Sequence, residues 1–151
     1  MKFFQILFLS ASLLMSCKPK TDEAKVPEMP ANADVTTYET EIMKIHDVAM
    51  PKMTDLNKLE TALRNIRTEA GHSELGSAAI PQGLDDMIAQ VKATENGMLD
   101  WMEYYTPMRA KLQPDVMLEF MKQELVKITQ VNKNIDDTIE KAKAWLAAHP
   151  S

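Results

Sequence analysis

The sequence predicts an all-α protein, an antiparallel three-helix up-down-up bundle with coiled-coil-like seams. Three observations carry that expectation. Beyond residue 38 the chain is dominated by Ala, Leu, Met, Glu and Lys, all good helix formers. Apolar residues there recur every seven positions in three separate stretches, the spacing that keeps one helical face turned to a partner. The breaks between the stretches are short enough to make successive helices antiparallel. Four Gly and 6% aromatic residues in 151 suit neither a β-rich fold nor a Gly-loop enzyme, and the length fits one ordinary domain. A net charge of −5 argues against a nucleic-acid partner, which needs a basic face to meet phosphates.

Residues 1–16 read as a signal peptide. Lys2 supplies the positive end, and Phe3–Met15 is an apolar run of 13 residues. A bilayer span needs about 20, whereas a signal core needs only this much. Leu14-Met15-Ser16-Cys17 resembles the bacterial lipobox, with an aliphatic residue three before the cysteine and a small one just before it. The resemblance implies that Cys17 becomes the first residue of the mature chain and carries acyl chains, palmitate among them, that hold the protein to the membrane. Lys18 in place of Asp then implies an outer-membrane lipoprotein of the cell envelope, on its periplasmic or cell-surface face. Cys17 is the single cysteine, which excludes an intrachain disulfide and any Cys-x-x-Cys metal site.

Residues 17–35 read as the lipidated cysteine and a disordered tether. The stretch holds Pro19, Pro27 and Pro30, several charges, few bulky apolar residues and no period. The bundle domain is expected over 36–149. Thr36-Thr37-Tyr38-Glu39 has the Thr-x-x-Glu form of a capping box, a helix start. In the first helix Ile42, Ala49, Leu56, Leu63 and Ala70 repeat every seven, with Ile45, Leu59 and Ile66 between them and Lys52 as the exception. Pro51 lies inside the pattern, where its ring clashes with the carbonyl of Asp47. Because the register continues through it, one helix kinked near Pro51 is expected, ending at Gly71.

In the second helix Leu84, Val91, Met98 and Tyr105 repeat every seven, and Thr106-Pro107 is the expected stop, giving about 22 residues at 3.6 per turn. Pro114 suits the first position of the third helix, with Asp115 beside it to favour the dipole. Its seam runs Met121, Ile128, Ile135, Ala142, and His149-Pro150 closes it. The loops are then 71–82 and 106–113.

Antiparallel packing groups residues that the sequence separates. The start of the first helix, the end of the second and the start of the third lie together. Met43, Met50, Met53, Met98, Met102, Met108, Met117 and Met121 all belong to that end, with His46, Trp101, Tyr104, Tyr105 and Phe120. Methionine fills irregular gaps and makes sulfur–aromatic contacts, so a plain methionine-and-aromatic core accounts for most of this. A sharper reading is a soft-metal site for Cu(I) or Ag(I), with ligands from His46, Met50, Met53, Met98 and Met102, since thioethers and imidazole suit those ions. His46 and Met50 are spaced i, i+4 and share a face. A third reading is a partner surface at Met43 and Met50, which sit off the main seam, for another envelope protein.

Catalytic signatures are missing from the sequence: no nucleophile elbow, phosphate loop or His-Glu-x-x-His string occurs. His46 and Asp47 are adjacent on a helix and point about 100° apart, which speaks against a dyad. His72 and His149 read as solvated, Asp85-Asp86 as a helix-start pair and Asp136-Asp137 as a solvated face. The expectation is a non-enzymatic protein without a cofactor, copper being the alternative.

Two strings, Glu41–Met53 (EIMKIHDVAMPKM) and Met98–Met102 (MLDWM), resemble a family of small Bacteroidetes lipoproteins, some of which carry names borrowed from viral A-type inclusion protein. The resemblance covers roughly residues 38–146. It implies a helical lipoprotein with a binding or structural role and brings no substrate, cofactor or catalytic residue with it.

Overall fold

The computed structural model describes residues 23–72 and 80–149, so Cys17 and the apolar run before it lie outside the described residues. Three helices, α1 (Val35–Gly71), α2 (Leu84–Lys111) and α3 (Pro114–Ala148), pack against one another, and no strand occurs among the described residues. Their contacts give the topology. The start of α1 meets the end of α2, where Arg109 forks onto Glu39 through two hydrogen bonds of 2.9 Å. The middle of α1 meets α3, where Lys52 reaches Asp136 at 2.6 Å and Asn132 at 3.0 Å. The start of α2 meets the end of α3, where the Thr94 and Thr138 hydroxyls bond at 2.9 Å and Gly83 lies beside the Trp145 indole. This is the up-down-up bundle that the heptads require.

The core is the set of heptad positions. Ile42, Ala49, Leu56 and Leu63 on α1 are fully buried. So are Leu84, Val91 and Met98 on α2, with Tyr105 nearly so, and Met121, Ile128, Ile135 and Ala142 on α3. At about 25 cal/mol per Å² of apolar surface removed from water, such a contiguous cluster is the main stabilising term of the fold. Lys52 interrupts the seam because it spans to the Asp136 carboxylate rather than entering the core.

Two helix ends depart from the sequence reading. α1 starts two residues earlier than the capping box places it. Asp34 is the cap, and its carboxylate accepts from the Thr37 backbone N–H at 2.8 Å and the Thr37 hydroxyl at 2.6 Å. Glu39, assigned by the box to reach back to Thr36, instead pairs with Arg109. α1 runs through Pro51 as one continuous helix. α2 does not stop at Thr106-Pro107; it continues to Lys111, with 28 residues and Pro107 inside it. A proline removes only the hydrogen bond from its own nitrogen. The turn beyond it is held by Arg109 on Glu39 and by Met108 against the core. Only Leu112 and Gln113 then separate α2 from α3.

Gly83 precedes α2 with φ of 80°, the left-handed backbone that glycine adopts without a Cβ penalty. The Trp145 indole nitrogen lies 3.6 Å from where a Cβ would stand, an ordinary contact distance, so the backbone conformation and not space is what favours glycine here.

The largest departure is before α1. Residues 23–34, expected as the last part of a disordered tether, lie along the bundle without regular secondary structure, turning at 30–33 through an Ala33 N–H to Pro30 carbonyl bond of 3.0 Å. Val26 and Met29 pack against the core, and the Ala24 N–H donates to Gln130 Oε1 on α3 at 2.9 Å. Two apolar anchors and one main-chain bond suffice to lay this strap down, although its prolines and charges read as linker. The remainder of the expected tether, 17–22, lies outside the described residues.

Candidate functional site at the methionine-rich end

The end defined by the start of α1 and the end of α2 carries an aromatic ladder. Trp101 stacks on Tyr105 at 4.8 Å between ring centres, and Tyr105 on Phe120 at 5.9 Å. Tyr104 tilts onto Phe120 from the outside. The Tyr105 hydroxyl lies 3.7 Å from Met121 Sδ. Burial, reinforced by the nearby Glu39 carboxylate, pushes the Tyr105 phenol up to about 12. Met98, Met117 and Met121 are buried in this packing, so three of the eight grouped methionines are core.

Beneath the ladder lies a group that the sequence pattern conceals. Glu124 has no solvent exposure, accepts from the Trp101 indole N–H at 2.9 Å and pairs with Lys127 at 2.7 Å. Lys127 in turn stands over the Tyr104 ring, 4.7 Å from its centre. Glu95 and Glu60 are also buried, against Lys92 and Arg64. Period-seven reading assigns charged residues to the surface. The available signal was a Lys or Arg three or four residues after each of Glu60 and Glu124, which carries the charge back to water.

His46 turns toward α2. Its Nε2 lies 3.3 Å from Met102 Sδ, and its ring is 5.9 Å from that of Trp101. Its Nδ1 lies 3.0 Å from Asp47 Oδ1, so the adjacent pair that helix geometry separates at Cβ does meet. The imidazole, drawn across the α1–α2 seam, leaves its Nδ1 edge facing outward to the carboxylate. In the tautomer that donates Nδ1–H to Asp47, the Nε2 lone pair faces the thioether sulfur. In the other, Nε2–H donates to sulfur. A carboxylate behind a histidine nitrogen is also the arrangement that orients metal-ligating imidazoles.

Of the five residues considered as soft-metal ligands, the structure brings His46 and Met102 together. Met98 is one turn earlier on α2 but sealed in the core, Met53 packs half-buried against the core, and Met50 stays at the surface. Among the described residues no hydrogen bond joins these three to His46, and no cluster of three or more His, Cys, Asp or Glu side chains is arranged around a common point. Met43 and Met50 are 38% and 36% exposed, which leaves both open to a partner. Met43 lines a groove of about 550 Å³ with Glu39, Lys44 and Asp47.

The remaining polar candidates are structural. Asp85 pairs with Arg67, Asp136 with Lys52 and Asp137 with Lys133. Asp85 and Asp86 lie in the first turn of α2 as expected; Asp85 also ties α2 to α1 and Asp136 ties α3 to α1, while the Asp137–Lys133 pair stays within α3. His149, expected to be solvated, stacks on Trp145 at 4.0 Å and bonds its carbonyl through Nδ1 at 2.9 Å. His72 is exposed beyond α1.

Fold and site together define an antiparallel three-helix bundle with a histidine–thioether contact in one seam. No protein-family model matches the chain, and no curated protein or solved structure matches it.

Proposed function

We propose that the protein is a membrane-anchored envelope lipoprotein with a non-enzymatic binding or structural role, its three-helix body presenting a surface to another envelope protein. The observation that carries the reading is the lipobox string ending at Cys17 behind the Phe3–Met15 run. Its likeness to small Bacteroidetes lipoproteins supports the same assignment. Exposed Met43 and Met50 on α1 give the partner an adaptable apolar contact. Cys17→Ala should release the protein from the membrane fraction; retention there refutes the anchor. For the partner surface, Met43→Asp with Met50→Asp should remove specific proteins from an envelope pull-down, and an unchanged set refutes it.

A second reading is supported by the His46–Met102 contact: binding of Cu(I) or Ag(I) between imidazole and thioether, with Asp47 behind the ring. The protein should then compete with a Cu(I) chelator, and His46→Ala or Met102→Ala should abolish the competition. Absence of competition by the unaltered protein removes this reading and leaves the first intact.

A further inference from the structure

We propose that the apolar depression between α2 and α3, walled by Trp101 and Tyr104, docks the bundle side-on against the lipid surface that holds Cys17. The inference rests on lipidation at Cys17 and adds to it an orientation and a contact face.

The reach of the chain before the bundle favours this face. Because the strap lies on the bundle as far as Ala24, only residues 18–23 separate the anchor from the body. Fully extended, that length covers about 25 Å. The strap is fixed to Gln130, the seventeenth residue of the 35 in α3, halfway along the helix. If the bundle stood on its end, Gln130 would be raised about 25 Å above the surface, at 1.5 Å per residue. That posture needs the whole available length of chain. Lying on the side that bears Gln130 brings Ala24 to the surface and needs only part of it.

The chemistry of that side suits the same contact. Gln130 itself lines a depression of about 420 Å³ with Asp100, Trp101, Tyr104, Lys127 and Val131, and the exposed lining is almost wholly apolar. Tyr104 is 45% exposed. Tyr104 has an apolar body and a polar tip, the combination that settles at the level of lipid headgroups, while Trp101 supplies an apolar ring at the floor with its N–H committed to Glu124. Lys127 lays its stem along the rim and its ammonium is already compensated by Glu124, so a neutral lipid surface meets no uncompensated cation there. Val126, also exposed, stands one residue away on α3.

The test uses the full lipidated chain bearing Trp145→Phe, which leaves Trp101 as the single indole, in phosphatidylcholine vesicles with or without bromine on the upper acyl chain. Expected is quenching of Trp101 emission by the brominated vesicles. Tyr104→Asp should abolish that quenching while helical circular dichroism and recovery in the vesicle fraction are unchanged; Val48→Asp, at an exposed site on α1, should leave it intact. Equal emission in both kinds of vesicle, from protein that cofloats with them and carries the acyl mass on Cys17, overturns the docking face alone. Protein that neither cofloats nor carries acyl mass overturns the lipoprotein reading and this inference with it. A loss of quenching in Val48→Asp equal to that in Tyr104→Asp also overturns the assigned face.

Discussion

Glu124 shows how one residue can be misread by pattern and made plain by geometry. Its position among Met121, Leu125 and Ile128 makes it a core neighbour, yet its charge reads as surface. The Trp101 N–H and the Lys127 ammonium together compensate the carboxylate, and no buried side-chain polar atom among the described residues lacks a partner. Glu124→Leu strands the indole N–H and should cost about 1–3 kcal/mol, measured by urea unfolding. A neutral result would mean that the indole finds another acceptor. Tyr105 gives the alkaline limit. Its phenol ionises near its ordinary value of 10.0 in the unfolded chain and at about 12 in the fold. The neutral form is favoured by folding, so this contribution is complete below pH 10 and is lost as pH rises to about 12. Tyr105→Phe should remove the phenolate absorbance that appears last in a titration and flatten that part of the stability profile.

At the scale of elements, the heptad positions were legible because a period of seven is a direct consequence of helix pitch. Ile42 to Leu63, Leu84 to Tyr105 and Met121 to Ala142 are buried as spaced. Helix ends were less so, since they depend on contacts from distant sequence. Asp34 caps α1 while the more familiar Thr36–Glu39 box does not form, because Arg109 takes Glu39. Asp34→Ala should therefore lower the urea midpoint and Thr36→Ala leave it near unchanged; the reverse would restore the box. The bonds from Thr37 hold the Asp34 carboxyl below its usual range, so the cap's contribution is present above that range and fades as pH falls through the lowered value. Pro107 marked a false stop for α2, for the same reason: the Arg109–Glu39 fork is seventy residues apart in sequence. Arg109→Ala should speed amide exchange in the turn after Pro107 without lowering helix content elsewhere.

For the molecule as a whole, the three-way seam is the cooperative unit. Leu56→Ala, at a fully buried site on α1, should cost about 2–5 kcal/mol and unfold all three helices together. Separate helical transitions would contradict a single core. The candidate site was only half legible: the grouping of methionine and tryptophan followed from topology, but the choice of Met102 over Met50 as the neighbour of His46 depends on how the imidazole crosses the seam. The strap was missed because prolines and charges dominate its composition, while Val26 and Met29 are too few to show a period.

Given the proposed lipid anchor at Cys17, that strap also sets how a pull from the membrane would travel. Force applied at Cys17 arrives first at the Ala24–Gln130 bond, then at Val26 and Met29, and only afterwards at the first turn of α1. Residues 23–34 would peel in sequence and release about 40 Å of chain, a shock absorber that lengthens before any helix is asked to bear load.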